Sequence, residues 1–221
     1  PVSLGALAGQ GVGAHFRPLR RTAMHDWHIA QGAEMMAAGI WDRPRIYGKP
    51  GETVEQAYVR EARHVRQACG IADVSTLGKI DVQGPDAAEF LNRVYSNGFL
   101  KLPEGKARYG LMLREDGFLW DDGTTWRLGE TQFLMTTTTA NAAPVLNQLE
   151  FLLAAVWPEL KVAVTSVTEQ WAAMAISGPK SRDVLAAALD DIDMSGEAFP
   201  FMGVRRATLD GVPVLVARLS F

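Results

Sequence analysis

Two adjacent aspartates, Asp121 and Asp122, stand in the middle of "GFLWDDGTTWRLG" (Gly117–Gly129), a run of aromatics and threonines that otherwise reads as a β-strand. Aspartate is depleted in strands because its side chain competes for backbone hydrogen bonds. A strand's period of two puts Trp120, Asp122, Thr124 and Trp126 on one face. Asp121, Gly123, Thr125 and Arg127 fall on the other. The first face is aromatic enough to be buried. Asp122 would be desolvated there, which suits a proton acceptor or a ligand anchor. The same carboxylate fits equally a structural role, satisfied by backbone amides. The second face reads as an outward polar surface.

Other groups carry less. "TTTT" (Thr136–Thr139) ends the next strand, and alternation places two of its hydroxyls toward the neighbourhood of Asp122, although threonine is a good strand former without any function. His25, Asp26 and His28 lie close together, but two histidines and a carboxylate with no third cluster make a poor zinc site, and no metal is expected. His15 and His64 are isolated. "GQGVG" (Gly9–Gly13) lacks the preceding strand and following helix of a phosphate loop. Cys69 falls on an apolar helix face and reads as core. "RPLRR" (Arg17–Arg21) reads as a solvated basic cluster.

The elements that must position these residues follow from periodicity and turn chemistry. Residues 1–50 are rich in glycine and proline and read as an irregular lead-in that packs by its aromatics. Thr53 and Gln56 form a capping box for a helix with Val54, Tyr58, Ala62, Val65 and Cys69 on one face and Gly70 as its stop. A short strand with Ile80 and Val82 inward turns at Gly84-Pro85 into a helix lined by Ala88, Leu91, Val94 and Tyr95. The pattern recurs at Gly178-Pro179, followed by Val184, Leu185 and Leu189. Between these units, strands 118–128 and 132–138 form a hairpin, and a helix runs from an N-cap at Asn141 to a stop at Pro158. Strands at 161–168, 203–209 and 212–219 complete the chain, the last two joined by the tight turn "LDGVP". Strands and helices mix without strict βαβ alternation. The expected class is therefore α+β, with antiparallel sheets, packed helices and internally duplicated strand–Gly-Pro–helix units.

Composition narrows the function. The net charge of -3 over 221 residues offers no basic stripe for nucleic acid. No apolar run reaches the roughly 20 residues of a membrane span. A single cysteine excludes an internal disulfide and points to a reducing cytoplasm. The start at Pro1 and the stop inside a strand at Phe221 lead to the expectation of a piece of something longer.

The stretches "GIADVSTLGKIDVQGPDAAEFLNRVYSN", "KARYGLMLREDGFLWDDGTTWRLGE", "FLMTTTTAN" and "VTEQWAAMAISGPKSRDVL" together resemble the folate-binding aminomethyltransferase family, typified by the glycine-cleavage T-protein. The match runs over about residues 50–221. Ser75-Thr76-Leu77-Gly78 departs from the T-protein's Ser-His-Met-Gly, and the lead-in "RRTAMHDWHIAQGA" also looks like the sarcosine oxidase branch, its heterotetrameric α subunit.

The resemblance implies an incomplete aminomethyltransferase folate-binding fold over residues 51–221, continuing past Phe221. It implies formation of 5,10-methylenetetrahydrofolate from the imine or formaldehyde released by N-methylglycine oxidation. Tetrahydrofolate is the implied ligand; FAD, FMN and NAD belong to the full complex, with beta, gamma and delta subunits as partners. By position in the motifs, Asp122 would lie by the reacting pterin nitrogens. Tyr109, Thr124 and Thr138 would border the pterin, Leu77 would line the cavity and Arg218 would stand near the folate tail. The family's acidic pterin anchor would follow Phe221, so this piece alone is expected to bind folate poorly. A T-protein-like aminomethyltransferase and a non-catalytic folate-fold scaffold are the alternatives.

Overall fold

The computed structural model describes residues 19–219. Gly9–Gly13, His15 and Arg17 lie outside them. The chain divides into two compact units, one ending at Ala62 and one beginning at Arg63. No helix among the described residues is long and apolar enough to cross a membrane.

The first unit has more regular structure than its composition predicts. Strand β1 (Arg20–Arg21), helix α1 (His25–Ala30), strand β2 (Ala33–Ala38) and strand β3 (Trp41–Tyr47) precede helix α2 (Val54–Gln67). The irregular lead-in is thus a small sheet of order β1-β3-β2 with a one-and-a-half-turn helix. Glycine here serves turns between short elements rather than irregular chain. His25 and His28 are buried in α1 and turn toward β3. The Nδ1 of His28 lies 2.6 Å from the Tyr47 hydroxyl, and that of His25 lies 3.7 Å from an Asp42 carboxylate oxygen.

Helix α2 begins at the expected capping box. The Gln56 amide donates to Thr53 Oγ1 at 3.3 Å and the Thr53 amide to Gln56 Oε1 at 2.8 Å. Its apolar stripe differs from the expectation. Ala57 is the buried residue, whereas Tyr58 and Ala62 are exposed. Polar bridges hold this part of the helix instead: Arg45 Nε donates to the Tyr58 hydroxyl at 2.7 Å and the Tyr47 amide to Glu61 Oε1 at 2.8 Å. Gly70 opens the next strand rather than capping the helix.

The second unit holds β4 (Gly70–Asp73), β5 (Gly78–Gln83), α3 (Ala87–Val94), β6 (Lys106–Leu113), β7 (Leu119–Arg127) and β8 (Gln132–Thr137). Helix α4 (Ala142–Phe151) follows and continues as a π-helical turn, Leu152–Val156. Then come β9 (Ala163–Ser166), β10 (Met174–Ser177), α5 (Ser181–Ala188), β11 (Val204–Leu209) and β12 (Val212–Ala217). Five strands form one antiparallel sheet of order β6-β7-β8-β5-β9. Ile80 and Val82 of β5, Phe133 and Met135 of β8, and Met112 of β6 face Phe90 and Leu91 of α3 and Val145 and Leu149 of α4. Each such side chain, removed from water, contributes about 1.5–3 kcal/mol. The core therefore sits between one face of the sheet and two helices, as the α+β reading required.

The duplicated Gly-Pro turns are real in geometry. Gly84 and Gly178 have φ of 141° and 113°, and a Cβ on either would lie 2.1 Å from Lys161 O or 2.4 Å from Val65 O. Both conditions demand glycine. The helices that follow differ in burial. The second, α5, buries no residue fully; Leu185 and Leu189 are half-buried and Val184 is exposed. Its expected core face is open to solvent on Val184, and among the described residues β10 pairs with β4 in a two-stranded sheet separate from the main one.

Candidate functional site

Strands β6 and β7 pair antiparallel, with Tyr109 opposite Thr124 and Leu111 opposite Asp122. Tyr109 and Asp122 are thus diagonal neighbours on one face, within reach of a long side chain. The Tyr109 hydroxyl donates a hydrogen bond to Asp122 Oδ2. That bond to the carboxylate raises the phenol's pKa above its usual value, with desolvation adding to it. Asp122 is half-buried.

Thr124 and Trp126 continue this face. The pairing of β7 with β8 runs from Arg127–Phe133 to Thr125–Met135 and stops there. Beyond that point a side chain takes over the backbone's role. The Thr124 amide donates to Thr136 Oγ1 at 2.9 Å, and that hydroxyl donates to Thr124 O at 3.0 Å. The Trp126 indole donates to Thr124 Oγ1 at 2.9 Å. Gly123 sits where the strands part, and a Cβ on it would lie 2.1 Å from Thr136 O.

Asp121 overturns the expectation of an outward polar face. It is 2% exposed, more buried than Asp122. From Asp121 to Arg127 the period of two holds, and the face that carries Asp121 and Thr125 is the one packed on the helices. A β-bulge just before Asp121 takes Trp120 out of that count. Met112 pairs with Asp121 but Leu113 with Leu119, so Trp120 is an extra residue on β7. Trp120 packs against the helix-side core instead of sharing a face with Asp122. Thr125 confirms which side is inner: its hydroxyl donates to the Tyr95 hydroxyl at 3.3 Å, and Tyr95 belongs to the core. Burial raises the Tyr95 phenol's pKa, and the two aspartates add to the effect.

The buried carboxylate of Asp121 is satisfied by the segment after β8. Thr138 Oγ1 donates to Oδ1 at 2.6 Å and the Thr138 amide to Oδ2 at 3.2 Å. Asn141 Nδ2 donates to Oδ1 at 3.2 Å and to Trp120 O at 3.0 Å. Asn141 does stand at the N-cap of α4, but its side chain serves β7 rather than the helix. An asparagine just past a threonine-rich strand end was the available signal for this arrangement, and it reads as easily as a cap.

The remaining expected site residues lie apart. Leu77 is half-buried in the turn between β4 and β5. That turn is held by Lys79, whose ammonium donates to Ser75 O and Leu77 O at 2.9 Å each. Sequence reasoning passed over Lys79. It is 4% exposed, and burial lowers its pKa to about 8 against a smaller opposing pull from Asp73. Lys79 pairs across the sheet with Thr136, on the face that carries Thr124. Arg218 follows β12 and donates to Phe199 O at 3.1 Å. Among the described residues, no group of three or more His, Cys, Asp or Glu gathers as a metal site.

Residues 24–221 match the family model described as the GCVT N-terminal domain. The chain belongs to this family. As a GCVT N-terminal domain it is 54% identical over 212 residues to sarcosine oxidase subunit alpha of Rhizobium meliloti (strain 1021), covering 96% of this chain and 21% of that protein. It therefore spans about a fifth of that relative's length. An aminomethyltransferase of Streptomyces coelicolor is 35% identical over 203 residues, 92% of this chain and 50% of that protein. The crystal structure of glycine cleavage system aminomethyltransferase T from Bartonella henselae superposes with a TM-score of 0.76 at 25% identity, over 91% of this chain and 50% of that one. The GCVT domain here thus has the aminomethyltransferase fold, with mixed helices and antiparallel sheets, and its relatives are enzymes.

Proposed function

We propose that this chain is the tetrahydrofolate-binding, one-carbon-transfer part of a sarcosine oxidase-like complex. The observation that carries the reading is the Tyr109–Asp122 pair, set on the sheet face away from the helices beside Thr124 and Trp126. A half-buried carboxylate next to hydroxyls and an indole suits a polar heteroaromatic ring with N–H groups, so the residues fit a reduced pterin. The pterin supplies an amine nucleophile toward an iminium or formaldehyde carbon. When bound, the pterin would give up an N–H proton as its C–N bond replaces the carbon's π bond, and the amine or water would leave as the bridge closes; the Asp122 carboxylate would accept that proton, with Tyr109 holding the carboxylate in place through its hydrogen bond. Thr124 would border the ring, Leu77 would wall the cavity and Arg218 would meet the acidic tail. FAD, FMN and NAD, with beta, gamma and delta subunits, would serve the oxidation step elsewhere in a cytoplasmic assembly.

The higher identity to the oxidase subunit than to the aminomethyltransferase, and Thr76-Leu77 in the motif, favour this over a T-protein-like reaction. Titrating the full-length protein with tetrahydrofolate, and following its tryptophan emission, tests binding. Asp122→Asn should slow methylenetetrahydrofolate formation by about 10²–10⁴-fold, the usual worth of a general base, with little change in folate affinity. Unchanged product partitioning in that variant would sink the assignment. A protein that binds no folate would be a scaffold.

A further inference from the structure

A carboxylate that takes a proton in a reaction must be held at a fixed place, and the neighbour of Asp122 in the chain is held more firmly than Asp122 itself. Asp121 is 2% exposed at a bulge and accepts from a hydroxyl, a backbone amide and a side-chain amide. All three donors come from the short segment between β8 and α4. Backbone pairing between β7 and β8 has already stopped at Thr125–Met135, so this cluster, beyond the Thr124–Thr136 bonds, ties the outer end of β7 to the segment that follows β8. Burying a carboxylate costs several kcal/mol unless it is fully hydrogen-bonded. A plain strand end could be closed by an apolar side chain at less cost. The cluster holds the backbone at 121, and therefore the Cα of Asp122, at one height above the sheet.

We propose that Asp121 is a positioning residue: anchored by Thr138 and Asn141, it sets where the adjacent Asp122 carboxylate meets Tyr109. This rests on the reading of Asp122 as the proton acceptor for the folate reaction. It also gives Thr138 a different task from bordering a ligand, since its hydroxyl is spent on Asp121 at 2.6 Å. Misplacing a reacting group by about 1 Å can cost on the order of 10²-fold in rate, so the anchor matters to turnover even though it touches no reacting atom.

The test changes the anchor at constant charge. Thr138→Val in the full-length protein removes the 2.6 Å bond and keeps a β-branched side chain. Without any folate present, the ionisation of Tyr109 reports on its contact with Asp122. It can be followed by ¹³Cζ-tyrosine resonances, assigned with Tyr109→Phe. In Thr138→Val the Tyr109 midpoint should move down toward the ordinary value of about 10, and Thr138→Ser should restore it. With folate, Thr138→Val should lower kcat by about ten- to a hundredfold and leave KM for the folate nearly unchanged. A Tyr109 midpoint unmoved in a folded Thr138→Val protein overturns the proposal. If that variant does not fold, Asn141→Ala is read by the same criterion. If the midpoint moves but the wild-type protein forms no methylenetetrahydrofolate, the positioning stands and the proposed reaction falls.

Discussion

Adding one methyl group to Gly123 probes whether the parting of β7 and β8 is needed for the site. An ideal Cβ there lies 2.1 Å from Thr136 O and 2.8 Å from its carbonyl carbon, both backbone atoms. Neither can rotate away as a flexible side chain would. Restoring ordinary contact at 3.4 Å from 2.1 Å requires the strands to separate by about 1.3 Å. Overpacking of this kind costs about 1–3 kcal/mol. Replacing glycine by alanine returns about 0.4–1 kcal/mol by restricting the unfolded chain, where the native φ permits it. Central values leave a net loss for Gly123→Ala of about 1.3 kcal/mol, or roughly 3–5 °C in unfolding temperature for a unit of this size. The separation also breaks the Thr124–Thr136 bonds beside Asp122, so one-carbon transfer should fall by on the order of 10²-fold. Gly129→Ala is the control, because a Cβ there meets nothing within 4 Å; its effect should stay within about 0.5 kcal/mol. Thermal unfolding of both variants, with hydrogen exchange at the β7 and β8 amides, gives the comparison. Equal stability for the two variants, or faster exchange confined to the Gly129 turn, would refute the reasoning.

Two further outcomes follow from burial. Burial holds the folded-state pKa of Lys79 at about 8, below the ordinary lysine value of 10.5, so the unfolded chain binds more protons between these values. Its contribution to stability is fully present above about 10.5 and is lost as pH falls through about 8. Relative to Lys79→Met, the wild-type protein should therefore gain stability as pH rises across that window, measured by urea unfolding at several pH values. Leu149→Ala empties a fully buried site between α4 and the sheet and should cost about 2–5 kcal/mol, read as a drop in the denaturant midpoint with an unchanged slope.

Much of the fold was legible in local chemistry. The capping box at Thr53 and Gln56, the Gly-Pro turns at Gly84 and Gly178, and the alternation at Ile80 and Val82 each depend on residues within a few positions of one another. All of them appear where expected. The hairpin of β7 and β8 and the turn at Asp210-Gly211 are likewise short-range. The reading was poorer where distant partners decide burial. Tyr58 lies outward because Arg45, on β3, reaches its hydroxyl. Strand β6 went unread as a strand, because its central sequence "RYGLML" has no clean alternation and owes its shape to β7 alongside.

The aspartate pair divides the two kinds of information. That one of two adjacent strand carboxylates must face inward, and the other outward, is a consequence of the strand period and needs no tertiary structure. Which one is buried more deeply depended on the side on which α3 and α4 pack, the side of Met112, Thr125 and Tyr95; the aromatic that pointed to the other face, Trp120, is an extra residue accommodated when β6 pairs with β7. The same pairing brings Tyr109 to Asp122, and the end of the β7–β8 ladder leaves Asp121 to be anchored by Thr138 and Asn141. Periodicity assumes an unbroken ladder. A bulge is a property of two strands in register, so no reading of one strand by itself could reveal it.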